Sequence, residues 1–141
     1  MDTEEIKFSQ EIETGLPIID TSHKMYIERL NNFLATCKEG IDIDQINLYL
    51  DYFQSYSIEH FESEEYLMRW KNYPAYKEHK KCHEYFCNKL ETMTKEIRTS
   101  DGFSNDNIRE LRQFIYEWYV DHFQKHDLKL AEYIRSLPKD Q

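Results

Sequence analysis

Residues 60–83, HFESEEYLMRWKNYPAYKEHKKCH, constrain the fold of this chain more than any other stretch. His60 and Glu64 are four residues apart, and so are His79 and His83. On a helix such pairs lie on one face, one turn apart. Asn72-Tyr73-Pro74 places a turn signal between them. The stretch reads as two helices folded back on each other, each aiming two metal-capable side chains at its neighbour. Taken alone, it would suit a zinc site nearly as well as any other metal centre.

The flanking sequence extends this hairpin to four helices. The first is expected over about 18–38, with Asp20 as N-cap. Its inner side carries Ile19, His23, Tyr26, Ile27, Leu30, Phe33, Leu34 and Cys37 at helical spacing. Glu39-Gly40 supplies its stop. The second is expected over about 44–71, capped by Asp42 or Asp44, with Ile46, Tyr49, Leu50, Phe53, Ser57, His60, Glu64, Leu67 and Met68 turned inward. The third is expected over about 74–98, with Pro74 at the first helical position, where its missing N–H costs nothing. Its stripe is Tyr76, His79, His83, Phe86, Leu90, Met93 and Ile97. Ser100-Asp101-Gly102 breaks the chain before a fourth helix over about 105–137, which Pro138 stops. That helix turns Ile108, Leu111, Ile115, Trp118, Tyr119, His122, Asp127, Leu130 and Ile134 inward. Residues 1–17 show no sustained period. They read as an N-terminal arm that Phe8 and Ile12 could pin to the core, ended by the turn at Gly15 and Pro17. Three Gly and three Pro in 141 residues suit long helices with short connections. The expected fold is all-α: one domain over 1–141, an up-down-up-down antiparallel four-helix bundle with an N-terminal arm.

A bundle core should be apolar, yet this one would contain His23, His60, Glu64, His79, His83, His122 and Asp127. Burying such groups without partners costs on the order of 2–7 kcal/mol each. Depth along the helices, at about 1.5 Å per residue, puts all seven in one half of the bundle. Five imidazoles and two carboxylates exceed the needs of one ion. They suit two imidazole-favouring transition metals bridged by carboxylates. Competing signatures are absent from the sequence: no Glu-x-x-His pair, no H-E-x-x-H, no phosphate-binding glycine loop. His126 complicates the reading. It stands four residues after His122, while Asp127 is about 140° away on a straight helix. From geometry alone His126 would be the better partner of His122, although a carboxylate is what a bridge requires.

Charge and cysteines narrow the partners. A net charge of −9 argues against nucleic acid and anionic membranes. No apolar run is long enough to span a bilayer. The acidic N-terminus carries no apolar signal region, so the expected compartment is the cytoplasm. Cys37, Cys82 and Cys87 are read as free thiols, since their number and spacing fit neither a disulfide framework nor a Cys-x-x-Cys site.

Together these residues resemble the hemerythrins, in particular the single-domain bacterial kind. The matching pieces are Gly15-Leu16-Pro17-Ile18-Ile19-Asp20-Thr21-Ser22-His23, then His60-Phe61-Glu62-Ser63-Glu64-Glu65 with Met68, Tyr73-Pro74, His79-x-x-x-His83, and Trp118-x-x-x-His122-x-x-x-x-Asp127. The resemblance implies a non-haem di-iron centre that binds O₂ reversibly. One iron would take His79, His83 and His122, and the other His23 and His60. Glu64 and Asp127 would bridge the two irons, together with an oxo or hydroxo group. The second iron then has a place for O₂ or another small ligand such as NO or an azide-like anion. A redox or signalling partner would be a separate protein.

Two positions depart from the family pattern, which usually has an aliphatic residue where this chain has Tyr26 and Leu where it has Tyr119. Both tyrosines face the inner stripe, with Phe61, Trp118 and Phe123 completing an aromatic pocket. They are either core filler with hydroxyls bonded elsewhere, or a source of a hydroxyl at the open iron. The second option would favour a di-iron oxidoreductase, peroxidase-like or reducing O₂ or NO, over reversible O₂ binding.

Overall fold

A computed structural model describes residues 13–40, 42–99 and 104–138. The expected pinning by Phe8 and Ile12 and the break at Ser100-Asp101-Gly102 lie outside the described residues. Helix α1 spans Pro17–Glu39, α2 Ile43–Trp70 and α3 Tyr76–Arg98. The fourth helix is continuous but not uniform: α4 covers Asn105–His122, a π-helical turn covers Phe123–Asp127, and α5 covers Leu128–Ser136. The described residues contain no strand. Helix α1 packs on α2 and α4, and α3 packs on α2 and α4, which closes the ring of a four-helix bundle. Among the described residues no helix is long and apolar enough to cross a membrane.

The apolar stripes expected from the spacing form the core. Leu30 and Phe33 of α1, Leu50 and Phe53 of α2, Phe86 and Leu90 of α3, and Leu111 and Ile115 of α4 are fully or almost fully buried in one cluster. A smaller apolar group, Ile19, Met68 and Leu130, closes the other pole. The polar residues singled out above lie between these two clusters.

Two helix starts differ from expectation. Pro17 is the first residue of α1 and Leu16 its N-cap, so Asp20 lies inside the first turn rather than before it. Asp20 instead reaches back and ties down the preceding loop. It accepts from Thr14 N at 2.8 Å, Thr14 Oγ1 at 2.7 Å and Gly15 N at 3.0 Å. Gly15 turns there with φ 79°, a value that favours glycine, and a Cβ at this position would meet Arg135 at 3.2 Å. Pro74 sits in the turn before α3, and Ala75 is the N-cap. Asn72, with φ 52°, has already reversed the chain, so the helix has no use for the proline at its first position. Asp42 caps α2 as expected, accepting from Gln45 N at 3.2 Å. Ser104 does the same for α4 through Asn107 N.

Candidate metal centre

The four helices deliver seven polar side chains to one place. α1 contributes His23; α2 contributes His60 and Glu64; α3 contributes His79 and His83; the fourth helix contributes His122 and Asp127. None is more than 7% exposed. Their ligand atoms form two overlapping groups, in each of which all atoms lie within 4.8 Å of one another. One group is Glu64, His79, His83, His122 and Asp127. The other is His23, His60, Glu64 and Asp127. Only the two carboxylates belong to both.

The separations are short. Glu64 Oε1 lies 2.8 Å from His79 Nε2 and 3.3 Å from His83 Nε2, and Glu64 Oε2 lies 3.4 Å from His60 Nε2. Asp127 Oδ1 lies 3.0 Å from His79 Nε2 and 3.1 Å from His122 Nε2, and Asp127 Oδ2 lies 2.8 Å from His23 Nε2. The three imidazoles of the larger group also crowd one another, with His122 Nε2 3.1 Å from His79 Nε2 and 3.2 Å from His83 Nε2. Close as they are, the atoms converge rather than pair. Neither oxygen of Glu64 or Asp127 accepts a well-directed hydrogen bond among the described residues, and His23 Nε2 and His60 Nε2 are likewise orphaned. Buried polar groups are normally satisfied. Lone pairs converging from five nitrogens and two carboxylates fit cations, and the donor set suits a first-row transition metal.

The π turn explains a spacing that a straight helix does not. With the five residues Phe123–Asp127 forming one wide turn, Asp127 comes beneath His122 although it is five positions on. His126, the better partner on a straight helix, is displaced from both groups. It is half-buried, with Nε2 3.6 Å from Cys82 Sγ.

Electrostatics follow from the crowding. Burial and the Asp127 charge push the Glu64 carboxyl up, but the imidazoles of His60, His79 and His83 outweigh them and hold it well below the usual carboxylate range. Burial also pushes Asp127 up, and His122, His23 and His79 bring it well below. Burial pulls His79 down, yet Asp127 and Glu64 raise it to about 10. Burial dominates at His122, which is pushed down to about 4. Burial pulls His83 down as well, and Glu64 and Glu65 raise it. Without a cation, the two buried carboxylates favour a proton on His79, which offsets part of their charge. A bound metal would take that proton's place.

Aromatic rings wall the cluster. Phe123 stacks on His23 with ring centres 3.7 Å apart, Phe61 on His83 at 4.0 Å, and Trp118 on His122 at 4.3 Å. Tyr26 and Tyr119 do not share this arrangement. They stack on each other at 3.8 Å, and their hydroxyls meet at Ser57 Oγ, 3.4 Å and 3.3 Å away. The five aromatics expected to line one pocket thus divide into three that face imidazoles and two that form a separate hydroxyl cluster. Glu65, which turns off the face that carries Glu64, accepts from His83 Nδ1 at 2.8 Å. Its position beside Glu64 hid this role, because adjacent helical residues point about 100° apart. The spacing of 18 residues from His83 becomes meaningful only once α2 and α3 pack together.

Comparison with known proteins agrees with this geometry. The model of the family described as hemerythrin HHE cation binding domain matches residues 14–134. The chain is similar to the bacteriohemerythrin of Stenotrophomonas maltophilia, 25% identical over 129 residues, covering 92% of this chain and 81% of the relative. It is 27% identical over 128 residues to that of Pseudomonas aeruginosa, covering 91% of this chain and 80% of the relative. It is 26% identical over 130 residues to that of Clostridium acetobutylicum, covering 90% of this chain and 97% of the relative.

Proposed function

The chain belongs to the hemerythrin family, and on that premise we propose that it is a non-haem di-iron protein that binds O₂ reversibly, as a carrier, store, scavenger or sensor. The observation that carries this reading is the pair of overlapping groups with only Glu64 and Asp127 in common. His79, His83 and His122 would hold one ion, His23 and His60 the other, and the two carboxylates would be shared. When bound, two ferrous ions supply the two electrons that hold dioxygen and are recovered on its release. The ion that His23 and His60 would hold would have one imidazole fewer, and a small ligand would come to that side.

The remaining work belongs to the protein. Phe123, Phe61 and Trp118 cover the faces of three imidazoles and keep water from them. Glu65 holds the proton of His83 on Nδ1, which leaves Nε2 with its lone pair toward Glu64. Tyr26 and Tyr119 direct their hydroxyls to Ser57. That arrangement favours carriage over a peroxidase-like or O₂/NO-reducing enzyme in which a tyrosine hydroxyl assists at the open iron.

Metal analysis together with cycles of oxygenation and deoxygenation, followed by visible absorption, tests the proposal. Two irons per chain and recovery of the reduced form over repeated cycles are expected. One ion per chain, or zinc alone, would overturn the di-iron reading. Oxidation within one cycle, with peroxide in solution, would favour the redox enzyme.

A further inference from the structure

Among the described residues, a groove opens onto the buried centre. It measures about 640 Å³ and runs between the start of α1 and the end of α2, and its lining includes His60 and Glu64. His60 is the most exposed of the five histidines at 7%, against 2% or less for the others. The orphaned atoms His60 Nε2 and Glu64 Oε2 belong to the residues at the groove's inner end. A smaller cavity of about 230 Å³ reaches His83 from the other side of α2, but the nitrogen there, Nδ1, is already bonded to Glu65. Among the described residues, the α1/α2 groove therefore leads from solvent to atoms with no hydrogen-bond partner.

Its charge has one sign. Glu59 and Glu62 stand exposed along it; among the described residues no Lys or Arg lines it, and the cation beside its walls is Lys71, whose Nζ lies 3.9 Å from the ring centre of Trp70. Ser22 and Ser63 also line it, and Ser22 Oγ accepts from Tyr56 Oη at 3.3 Å. Ile18, Leu67 and Trp70 contribute apolar surface to the same lining. Low-dielectric walls beside charges of one sign focus the field and raise the local concentration of counter-ions. From these features we infer that the α1/α2 groove is the loading route for the centre's cations, with Glu59 and Glu62 drawing a divalent ion in and Glu64 and His60 receiving it first. The inference rests on the metal-binding reading above and extends it to residues outside the seven.

The test is the rate at which metal-free protein takes up Co²⁺, read by ligand-field absorption in a stopped-flow instrument, with the final occupancy measured separately. Glu59→Gln/Glu62→Gln should slow uptake about tenfold at low ionic strength, and the difference should shrink as salt rises. Ser63→Trp, which fills the groove, should slow it at any salt. Both variants should reach wild-type occupancy. Glu96→Gln/Glu110→Gln removes two carboxylates from a surface cavity that none of the seven lines, and should leave the rate unchanged. Unchanged rates in both groove variants, equal slowing in the control pair, or lowered final occupancy would overturn the inference. A wild-type protein that takes up no Co²⁺ would overturn the metal-binding reading itself and this inference with it.

Discussion

Glu65 shows how one carboxylate outside the seven can decide what the centre holds. His23, His79 and His122 leave Nδ1 without a partner among the described residues, whereas His83 donates from Nδ1 to Glu65 at 2.8 Å. A carboxylate behind an imidazole fixes its tautomer and raises its basicity. Glu65→Ala should therefore weaken metal binding about 10–100-fold while the stoichiometry is kept. Glu65→Gln, which still offers an acceptor oxygen, should lose less. Competition against a chelator of known affinity measures both. Ser57 plays a comparable part for the tyrosines, because it is the side chain at which the two buried hydroxyls meet. Tyr26→Phe and Tyr119→Phe should each cost about 1 kcal/mol. Ser57→Ala, which removes the shared partner, should cost about 1–3 kcal/mol. Denaturant unfolding gives these values. Autoxidation rates in the two phenylalanine variants should match wild type if the hydroxyls serve only this cluster. A changed rate in either would bring the tyrosines back to the metal chemistry.

The fourth helix is where element-scale reasoning adds most. Spacing alone brought His60 with Glu64 and His79 with His83 onto shared faces, because four-residue intervals are what an α-helix repeats. The five-residue interval from His122 to Asp127 breaks that rule, and nothing local in the sequence announces a π turn. The turn exists because two demands conflict. His122 and Asp127 must both face the centre, while Leu130 must still reach the pole cluster with Ile19 and Met68. One wide turn absorbs the extra residue, as π turns at functional sites commonly do. Asp20 and Pro74 differ from expectation for another reason. Each residue type serves both helix starts and turns, and the surrounding loop decided which role it took. The π turn can be tested by exchange. His126→Asp/Asp127→His moves the carboxylate to the position that a straight helix would favour, with net charge unchanged. In this structure that position faces Cys82. The variant should keep its far-UV circular dichroism and lose at least one ion per chain by metal analysis. Retention of both ions would mean that the wide turn is dispensable.

For the whole molecule, the centre joins all four helices, so removing the cation should loosen the bundle as a unit. A ligand in thousandfold excess over its dissociation constant stabilises by about 4 kcal/mol, which for a domain of this size is on the order of 10 °C in Tm. Chelation should lower Tm by roughly that amount near neutral pH, and scanning calorimetry reads the change directly. The pH dependence of the metal-free protein has a definite sign on each side. His79 is raised from 6.5 to about 10, so its contribution is fully present below pH 6.5 and is lost as pH rises toward 10. His122 is lowered from 6.5 to about 4, so the unfolded chain takes up a proton first and stability falls between those values as pH drops. Glu64 and Asp127, both held low, add to the loss on the acid side. The metal-free protein should therefore be most stable near pH 6.5 and weaken in both directions. In the loaded protein the ion stands where the His79 proton stood, so the alkaline fall should disappear while the acid fall remains, because protons compete with the metal for the same nitrogens. Tm measured against pH with and without chelator distinguishes the two curves. An alkaline fall of equal size in both would mean that the cation does not displace the His79 proton, and that the centre as assembled from these seven residues is not where the metal binds.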